Sequence, residues 1–380
     1  MQLTSKLPDT GTTIFTVMSA LANEHGAINL SQGFPDFPSS PRLHDLVCAF
    51  MKKGYNQYAP MAGLPALRDQ LARKAERMYG RAVDPATEIT VTAGATQALF
   101  TAIAAFVHAG DEVILIEPAY DSYRPSVEVV RGIPVVYELS APDYRIDWVA
   151  FAGLITPRTR MIIINTPHNP TGMTLSAGDL QQLDALTRGT DILVLSDEVY
   201  EHLIYDDRQH QSVLRFPSLW ERSLACYSFG KTFHTTGWKM GYVLAPAALT
   251  AEFRKVHQFN VFCVNTPIQY ALAEFLKNPD EYRSLPDFYQ GKRDFFLETM
   301  EGSRLQPLHC EGTYFHLFDY RSISDEPDTA FARRMTTEHG VAAIPVSVFY
   351  SNGRDDRVIR LCFAKREETL ERAGERLRKL

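Results

Sequence analysis

Short apolar segments alternate with helical patterns of apolar and polar residues through the middle of the chain. Segments rich in β-branched residues predict seven strands, at residues 88–92, 113–117, 133–138, 161–165, 192–197, 224–228 and 241–245. Between them, apolar residues recur at helical spacing, most clearly at residues 96–108 and 177–188. The segment 161–164 is continuously apolar, which predicts a strand that is buried on both faces. This pattern predicts an α/β fold with a mostly parallel sheet covered by helices.

The two ends of the chain differ from the middle and predict a second, smaller α+β domain. An apolar stripe on residues 14–22 predicts an N-terminal helix that Gly26 would terminate. After residue 280 come two helical and two strand-like segments, at residues 282–300, 366–380, 313–319 and 358–363. We therefore expect an N-terminal arm within the small domain, a large domain and a small C-terminal domain, at residues 1–40, 41–280 and 281–380.

The composition argues against a nucleic-acid-binding, membrane or metal-binding protein. The 380 residues include 39 basic and 45 acidic side chains, which give a net charge of −6 without long runs of one sign. We therefore expect no nucleic-acid partner and no membrane-binding face. No apolar segment has the length of a membrane span, and the first residues lack a signal-peptide core, so a cytoplasmic location is expected. The five cysteines and eleven histidines show no metal-ligand spacing, so no metal is expected.

Lys231 has unusual neighbours in the segment 228–242, which reads SFGKTFHTTGWKMGY. A lysine that forms an imine with an aldehyde cofactor must be held in place and kept partly unprotonated among other cations. Ser228 and Lys239 have donors suited to a phosphate group. The Ser-x-x-Lys spacing also occurs in class A β-lactamases, but their companion motifs are absent from this sequence. The segment predicts an enzyme of pyridoxal phosphate (PLP) with Lys231 as the Schiff-base residue.

Asp197 ends the predicted strand at 192–197, where a side chain faces the ligand crevice of a parallel sheet. An ionised carboxylate there would pair with the pyridinium nitrogen of the cofactor and keep it protonated, which makes the ring an electron sink. Tyr200 follows within reach of the ring's phenolic oxygen. The alternative is structural, because an aspartate after a strand often caps the next helix.

Three further segments follow predicted strands. Small residues in TAGATQAL, at 92–99, would let Gly94, Ala95 and Thr96 approach a phosphate at a helix N-terminus. The prolines and glycine of NTPHNPTG, at 165–172, would aim Asn169 at a ligand, although Asn-Pro also marks simple turns. In EPAYDSY, at 117–123, Tyr120 would stack on a flat ring unless it is a core residue.

Arg360 lies inside the apolar segment VIRLCF, at 358–363. A buried guanidinium needs a counter-ion, because a desolvated and unpaired charge is costly. The α-carboxylate of a substrate is one such partner and can be bound through two hydrogen bonds. An internal salt bridge to an Asp or Glu is the alternative.

Together these segments resemble the class I/II aminotransferases of PLP fold type I, and within them methionine aminotransferases and kynurenine–oxoglutarate transaminases. The resemblance also includes SQGFPDF at 31–37, residues 55–58 and VNTP at 264–267, so it extends through nearly the whole chain. It implies a large domain with a mostly parallel seven-stranded sheet and a smaller α+β domain. It also implies a homodimer with active sites at the subunit interface.

The resemblance assigns a role to each candidate residue. Lys231 would carry the imine and then move the proton, with Asp197 on the pyridinium, Tyr200 and Asn169 on the ring oxygen, and Tyr120 on the ring face. The phosphate would be bound by Gly94, Ala95, Thr96, Ser228, Lys239 and, from a neighbouring subunit, Tyr58. The substrate carboxylate would be bound by Arg360, Asn169 and Gly33.

The resemblance implies transfer of an amino group from an apolar or aromatic L-amino acid to a 2-oxo acid by a ping-pong mechanism. Methionine is the favoured donor, followed by phenylalanine, tyrosine and kynurenine-like amino acids. An apolar pocket is expected from Phe15, Phe34, Tyr58, Tyr120 and Phe349. The alternatives are a PLP-dependent cysteine-S-conjugate β-lyase of the same fold and, more distantly, a non-catalytic PLP-binding regulatory module.

Overall fold

The computed structural model describes residues 3–8 and 10–380, and a seven-stranded sheet forms its centre. The first eight strands of the chain are β1 Ile28–Asn29, β2 Ile89–Thr92, β3 Glu112–Glu117, β4 Ile133–Glu138, β5 Thr159–Asn165, β6 Leu193–Asp197, β7 Ser223–Ser228 and β8 Gly241–Leu244. The large sheet has the order β2-β8-β7-β6-β5-β3-β4. Strand β8 is antiparallel to both of its neighbours, whereas β7, β6, β5, β3 and β4 pair in parallel. All seven predicted strands of this sheet are confirmed within two residues at each end.

Fifteen α-helices lie in the described part of the chain, and those from its middle cover both faces of the large sheet. The first nine are α1 Ile14–Glu24, α2 Pro41–Lys52, α3 Pro65–Tyr79, α4 Gly94–Phe106, α5 Tyr123–Val129, α6 Trp148–Ala152, α7 Ala177–Thr187, α8 Pro217–Trp220 and α9 Phe229–Thr232. The other six are α10 Ala247–Asn260, α11 Thr266–Phe275, α12 Asp280–Arg283, α13 Leu285–Thr299, α14 Asp328–His339 and α15 Glu367–Leu377. In the described part of the chain, none of these helices has the length and apolar character needed to cross a membrane.

The central strands bury side chains on both faces. In β5, Met161 and Ile163 belong to one apolar core with α4, while Ile162 and Ile164 belong to a second core on the opposite face. Successive side chains of a strand point to opposite faces, so a continuously apolar strand contributes to both cores. The expectation of burial on both faces at 161–164 is therefore confirmed.

The smaller sheet is built from the C-terminal part of the chain. Its strands are β9 Gln306–Pro307, β10 Phe315–Asp319, β12 Ile344–Pro345 and β13 Val358–Cys362, in the antiparallel order β12-β13-β10-β9. A separate strand, β11 Val341–Ala342, pairs in parallel with β1 near the N-terminus. This pairing joins the N-terminal arm to the C-terminal part. The domain boundaries after residues 40 and 280 stay a prediction.

A close approach of two backbones holds α4 against the large sheet. Gly94 begins α4 with a φ of +79°, in the left-handed region that favours glycine. Opposite it, an added Cβ on Gly241 would lie 2.6 Å from the Tyr227 carbonyl oxygen and 2.9 Å from the Gly94 carbonyl carbon. Strand β8 therefore needs a residue without a side chain at this position.

Replacing Gly241 with alanine tests this contact. The new Cβ meets backbone atoms, which cannot rotate away, so we expect Gly241→Ala to destabilise the fold by about 1–3 kcal/mol. A urea unfolding curve followed by circular dichroism would show a lower midpoint. Gly237→Ala is the matched control, because an added Cβ there has no neighbour within 4 Å. Equal midpoints for the two variants would contradict the proposed close approach.

Candidate active site

One cleft of about 220 Å³ collects almost all of the predicted site residues. It opens at the carboxyl ends of β5, β6 and β7, next to the N-terminus of α4, where ligands of parallel sheets bind. The predicted residues that line it are Gly33, Gly94, Ala95, Thr96, Tyr120, Asn169, Asp197, Tyr200, Ser228, Lys231, Lys239 and Arg360. Tyr58 does not line it. Segments that are distant in the sequence therefore share one site.

Lys231 projects into the cleft from α9, directly after β7. Its Nζ donates to the Tyr314 hydroxyl at 2.8 Å and to the Gly33 carbonyl oxygen at 3.3 Å. Burial lowers the pKa of Lys231 to about 8, and the nearby cations Arg360 and Lys239 act in the same direction. The amine thus loses its proton more readily than that of an exposed lysine, which is the direction expected for a lysine held among cations.

Asp197 ends β6 with its carboxylate in the cleft and two donors behind it. The Tyr123 hydroxyl donates to Oδ2 at 2.7 Å, and the backbone N–H of Val199 donates to Oδ1 at 3.3 Å. Burial raises the pKa of Asp197 to about 6, although these hydrogen bonds and Lys231 oppose the shift. The contact with Val199 closes a local turn. In the described chain no helix begins directly after β6, so Asp197 does not cap one, and its carboxylate faces the cleft.

The N-terminus of α4 forms the opposite corner of the cleft. No side chain caps this helix, so the first backbone N–H groups, at Gly94, Ala95 and Thr96, have no partner within it. Lys239, with a φ of +52°, passes alongside Gly94, and Ser228 lines the same corner. Free N–H groups, a helix dipole and an ammonium group together favour an anion such as phosphate.

Arg360 lies in the middle of β13 with an exposed fraction of 1%. Its Nη1 donates to Asn169 Oδ1 at 2.6 Å and its Nη2 to the Ser31 carbonyl oxygen at 3.2 Å, whereas Nε has no partner among the described residues. Its guanidinium carbon lies 3.8 Å from the centroid of the Phe315 ring. Burial lowers the pKa of Arg360 to about 10.

The alternative of an internal salt bridge is wrong for Arg360. Within the described residues no carboxylate lies within 4.0 Å of its guanidinium, although other buried cations have such partners, as Lys74 has in Glu201. A buried guanidinium with an unused donor is suited to bind a carboxylate that comes from outside the chain.

The predicted apolar pocket is only partly assembled in one chain. Phe15 and Tyr120 line the cleft, and Phe349 packs under the guanidinium of Arg360 at 5.3 Å. Phe34 is 45% exposed, lies against Lys365 and does not line the cleft, so the prediction that it contributes to the pocket is wrong. Tyr58 is 80% exposed and contacts Phe262 with a centroid distance of 5.1 Å.

Sequence reasoning did not identify several residues of the cleft. Tyr123 and Tyr314 hydrogen-bond to Asp197 and Lys231, and the cleft is also lined by Gln32, Leu99, Asn165, Val199, Gly230, Thr236, Met240 and Phe315. Tyr123 belongs to the EPAYDSY segment, where a second tyrosine three residues after Tyr120 was the available signal. Tyr314 lies at the start of the strand predicted at 313–319, where no neighbouring residue gives such a signal.

The geometry fits pyridoxal phosphate. The uncapped start of α4 with Ser228 and Lys239 suits the phosphate, and Asp197 suits a protonated ring nitrogen. A buried lysine with a lowered pKa suits the aldehyde carbon, and the unpaired Arg360 suits the carboxylate of an amino acid. The described residues provide no cluster of three side chains that would bind a metal ion.

Comparisons with known proteins agree with this arrangement. Residues 25–377 match the family described as aminotransferase class I and II. The chain is 52% identical to the methionine aminotransferase of Escherichia coli, over 99% of this chain and 98% of that one. It is 37% identical to human kynurenine–oxoglutarate transaminase 1, over 94% of this chain and 93% of that one.

Solved structures show the same likeness. The crystal structure of Escherichia coli YbdL, reported to have a methionine aminotransferase function, has a TM-score of 0.98, 52% identity and full coverage of both chains. The N-succinyldiaminopimelate aminotransferase of Mycobacterium tuberculosis has a TM-score of 0.95 and 36% identity, again with full coverage of both. The chain therefore belongs to the class I and II aminotransferases of PLP fold type I and is a PLP-dependent transaminase.

Proposed function

We propose that this aminotransferase moves the amino group of an apolar or aromatic L-amino acid, with methionine favoured, to a 2-oxo acid. The observation that carries the proposal is that Arg360, buried without a carboxylate partner, lines the same cleft as the amine of Lys231. The high identity to a methionine aminotransferase supports methionine as the donor. Two half-reactions on one site give ping-pong kinetics.

In this proposal the cofactor is held by the start of α4, by the ends of β6 and β7, and by loop residues around them. Ser228, Lys239 and the N–H groups of residues 94–96 bind the phosphate, while Tyr120 lies on the ring face. Ionised Asp197 binds the ring nitrogen, and the hydroxyl of Tyr123 fixes the orientation of that carboxylate. Tyr200 and Asn169 bind the ring oxygen. Pyridoxal phosphate supplies an electron sink that stabilises negative charge at the α-carbon of the amino acid.

Lys231 is the proposed general base. Its neutral Nζ takes the α-proton and returns a proton in the same half-reaction, which requires a pKa near the working pH. Burial provides this pKa, because the charged ammonium loses the water that would solvate it. The cations Arg360 and Lys239 add repulsion, whereas Asp197 acts in the opposite direction.

Arg360 is the proposed binding residue for the α-carboxylate. Asn169 holds one end of the guanidinium through its side-chain oxygen, and the backbone of Gly33 lines the same part of the cleft. The buried strand β13 and the ring of Phe315 fix the rest of the side chain. The carboxylate would therefore be bound in one orientation, with the α-carbon turned toward Lys231.

The lining of the cleft favours an apolar side chain in the donor. Its described lining contains Phe15, Leu99, Val199, Met240 and Phe315. Its cations are Lys231, Lys239 and Arg360, each of which already has a role in the proposal. Among the described residues, the lining of one chain therefore offers no additional cation for the second carboxylate of aspartate.

A half-reaction without oxo acid tests the proposed donor. We expect methionine to abolish the visible absorption band of the bound cofactor and to release its 2-oxo acid, about one per Lys231, because the second substrate is missing. The half-reaction with aspartate should be slower by about 10-fold or more, since the side-chain carboxylate of aspartate has no cationic partner in the cleft. Release of ammonia and pyruvate from a cysteine conjugate, with no conversion by methionine, would favour the β-lyase instead.

Lys231→Ala tests the role of the lysine in the same half-reaction. It should retain the phosphate contacts but lose at least about 10²–10⁴-fold in the rate of the half-reaction, since the proton carrier is gone. Lys255→Ala removes an exposed lysine of α10 and should behave as the unmodified enzyme. Unchanged turnover in Lys231→Ala would contradict the proposed function.

Arg360→Lys tests the carboxylate site. Lysine retains the positive charge but loses the second hydrogen bond and the stack on Phe315, so kcat/KM for methionine should fall about 100-fold or more, mainly through KM. The cofactor spectrum should remain. Arg73→Lys, on the exposed face of α3, is the matched control. Equal KM values in both variants would remove Arg360 from the substrate site.

We propose further that the enzyme is a homodimer in which Tyr58 reaches the phosphate of the neighbouring subunit. Tyr58, Phe259 and Phe262 are 80%, 87% and 52% exposed in one chain, which is a costly exposure for aromatic side chains. Sedimentation equilibrium should give twice the chain mass of 42.9 kDa. A monomer at micromolar concentration would contradict this proposal.

The cellular setting stays a prediction. A cytoplasmic location and the lack of nucleic-acid and membrane partners are expected from composition, and the net charge of −6 supports the expected lack of a nucleic-acid partner.

A further inference from the structure

Tyr314 connects the reactive amine to the segment that lines the substrate site. It is fully buried just before β10, and its ring packs against Tyr200 at 5.2 Å, Phe315 at 4.9 Å and Tyr289 at 6.0 Å. Its hydroxyl accepts from Lys231 Nζ at 2.8 Å and donates to the carbonyl oxygen of Gly33. Three segments far apart in the sequence thus meet at one hydroxyl group.

The direction of these hydrogen bonds follows from the chemistry of the groups. A tyrosine hydroxyl has one proton, and the Gly33 carbonyl can only accept. The proton of Tyr314 is therefore directed at Gly33, and its oxygen is left to accept from Lys231. The amine must use an N–H for this contact. When Lys231 is neutral, its lone pair is consequently not occupied by Tyr314.

We propose that Tyr314 is a positioning residue that holds the free amine of Lys231 beside Gly33 with its lone pair available to take the α-proton. The inference rests on the proposed function, since a free amine occurs when Lys231 is not bonded to the cofactor. The long lysine side chain would otherwise lose this orientation, because its four-carbon stem has many rotamers. Gly33 stays fixed from the other side, where Lys365 donates to the Phe34 carbonyl at 2.8 Å.

The hydroxyl must also affect the ionisation of Lys231. The charged and titratable groups that act on this amine are Arg360, Lys239, Asp197 and Cys362, with the rings of Tyr200 and Tyr314 within 5.7 and 5.4 Å. A neutral acceptor stabilises an ammonium group more than an amine, because the charged donor forms the stronger hydrogen bond. Removing the hydroxyl alone should therefore lower the pKa of Lys231. A loss of packing alone gives no reason to expect a lower pKa.

The pH dependence of chemical labelling tests this point without any turnover. The full-length chain, freed of cofactor, is treated with acetic anhydride between pH 6 and 10, and acetylation of Lys231 is measured by mass spectrometry. In Tyr314→Phe the midpoint should fall by about one pH unit relative to the unmodified chain. An unchanged midpoint would overturn the proposal, and so would a higher one, since it would mean that Tyr314 donates to the amine.

Tyr289→Phe is the matched control. Tyr289 is equally buried and packs against Tyr314, but its hydroxyl has no hydrogen-bond partner among the described residues. Its removal should leave the Lys231 midpoint unchanged, and a shift equal to that of Tyr314→Phe would assign the effect to packing. If Tyr314→Phe does not fold, 3-fluorotyrosine at position 314 retains the ring and weakens the acceptor. It should give a smaller shift in the same direction, and no shift would overturn the proposal.

The reconstituted enzyme separates this inference from the proposed function. In Tyr314→Phe the single-turnover rate with methionine should fall about 10-fold or more, with little change in the methionine concentration at half-maximal rate. Failure of the unmodified enzyme to convert methionine would overturn the proposed function, but the labelling result would still stand. A labelling shift with an unchanged single-turnover rate would overturn the positioning role alone.

Discussion

The burial of two cations without carboxylate partners is the constraint on which the site depends. Arg360 is held by Asn169, Ser31 and aromatic rings, and Lys231 by Tyr314 and Gly33. Neutral groups orient these cations but do not neutralise them, so each remains available to a ligand or a proton. The cost of burying the two charges is offset by the cores on both faces of the large sheet, which bury most of the apolar side chains.

Backbone geometry determines where these charges meet. Strands β5, β6 and β7 end at the same edge of the sheet, and their last residues are Asn165, Asp197 and Ser228. The turn at Gly94 adds free N–H groups at that edge, and Gly241 lets the two backbones approach each other. Strand β13 of the smaller sheet brings Arg360 over this edge from the other part of the chain. The cleft therefore exists only because both sheets contribute to it.

Much of the fold follows from local pattern. Continuously apolar strands such as 161–164 can be buried only in the middle of a covered sheet, which made the inner strands predictable, whereas the half-buried edge strand β4 was marked by its β-branched residues. Arg360 and Lys231 were also predictable as site residues. An arginine inside an apolar strand is costly to bury without a partner, and a lysine between glycines is unusual for an exposed surface. The hydrogen bonds of Tyr123 and Tyr314 were not predictable, since a buried tyrosine is ordinary in a core and nothing in the sequence names its partner.

The sequence by itself determined the α/β fold, the strand end that carries Asp197, the position of Lys231 directly after a strand, and the family to which the chain belongs. These depend on the order and type of neighbouring residues, which the sequence states directly. Only the tertiary structure decided that Arg360 has no internal carboxylate, that Tyr123 supports Asp197, and that Phe34 lies outside the cleft. The reason is physical: a hydrogen bond joins groups that are close in space, and folding brings residues as distant as 33 and 314 into contact through packing of the whole chain.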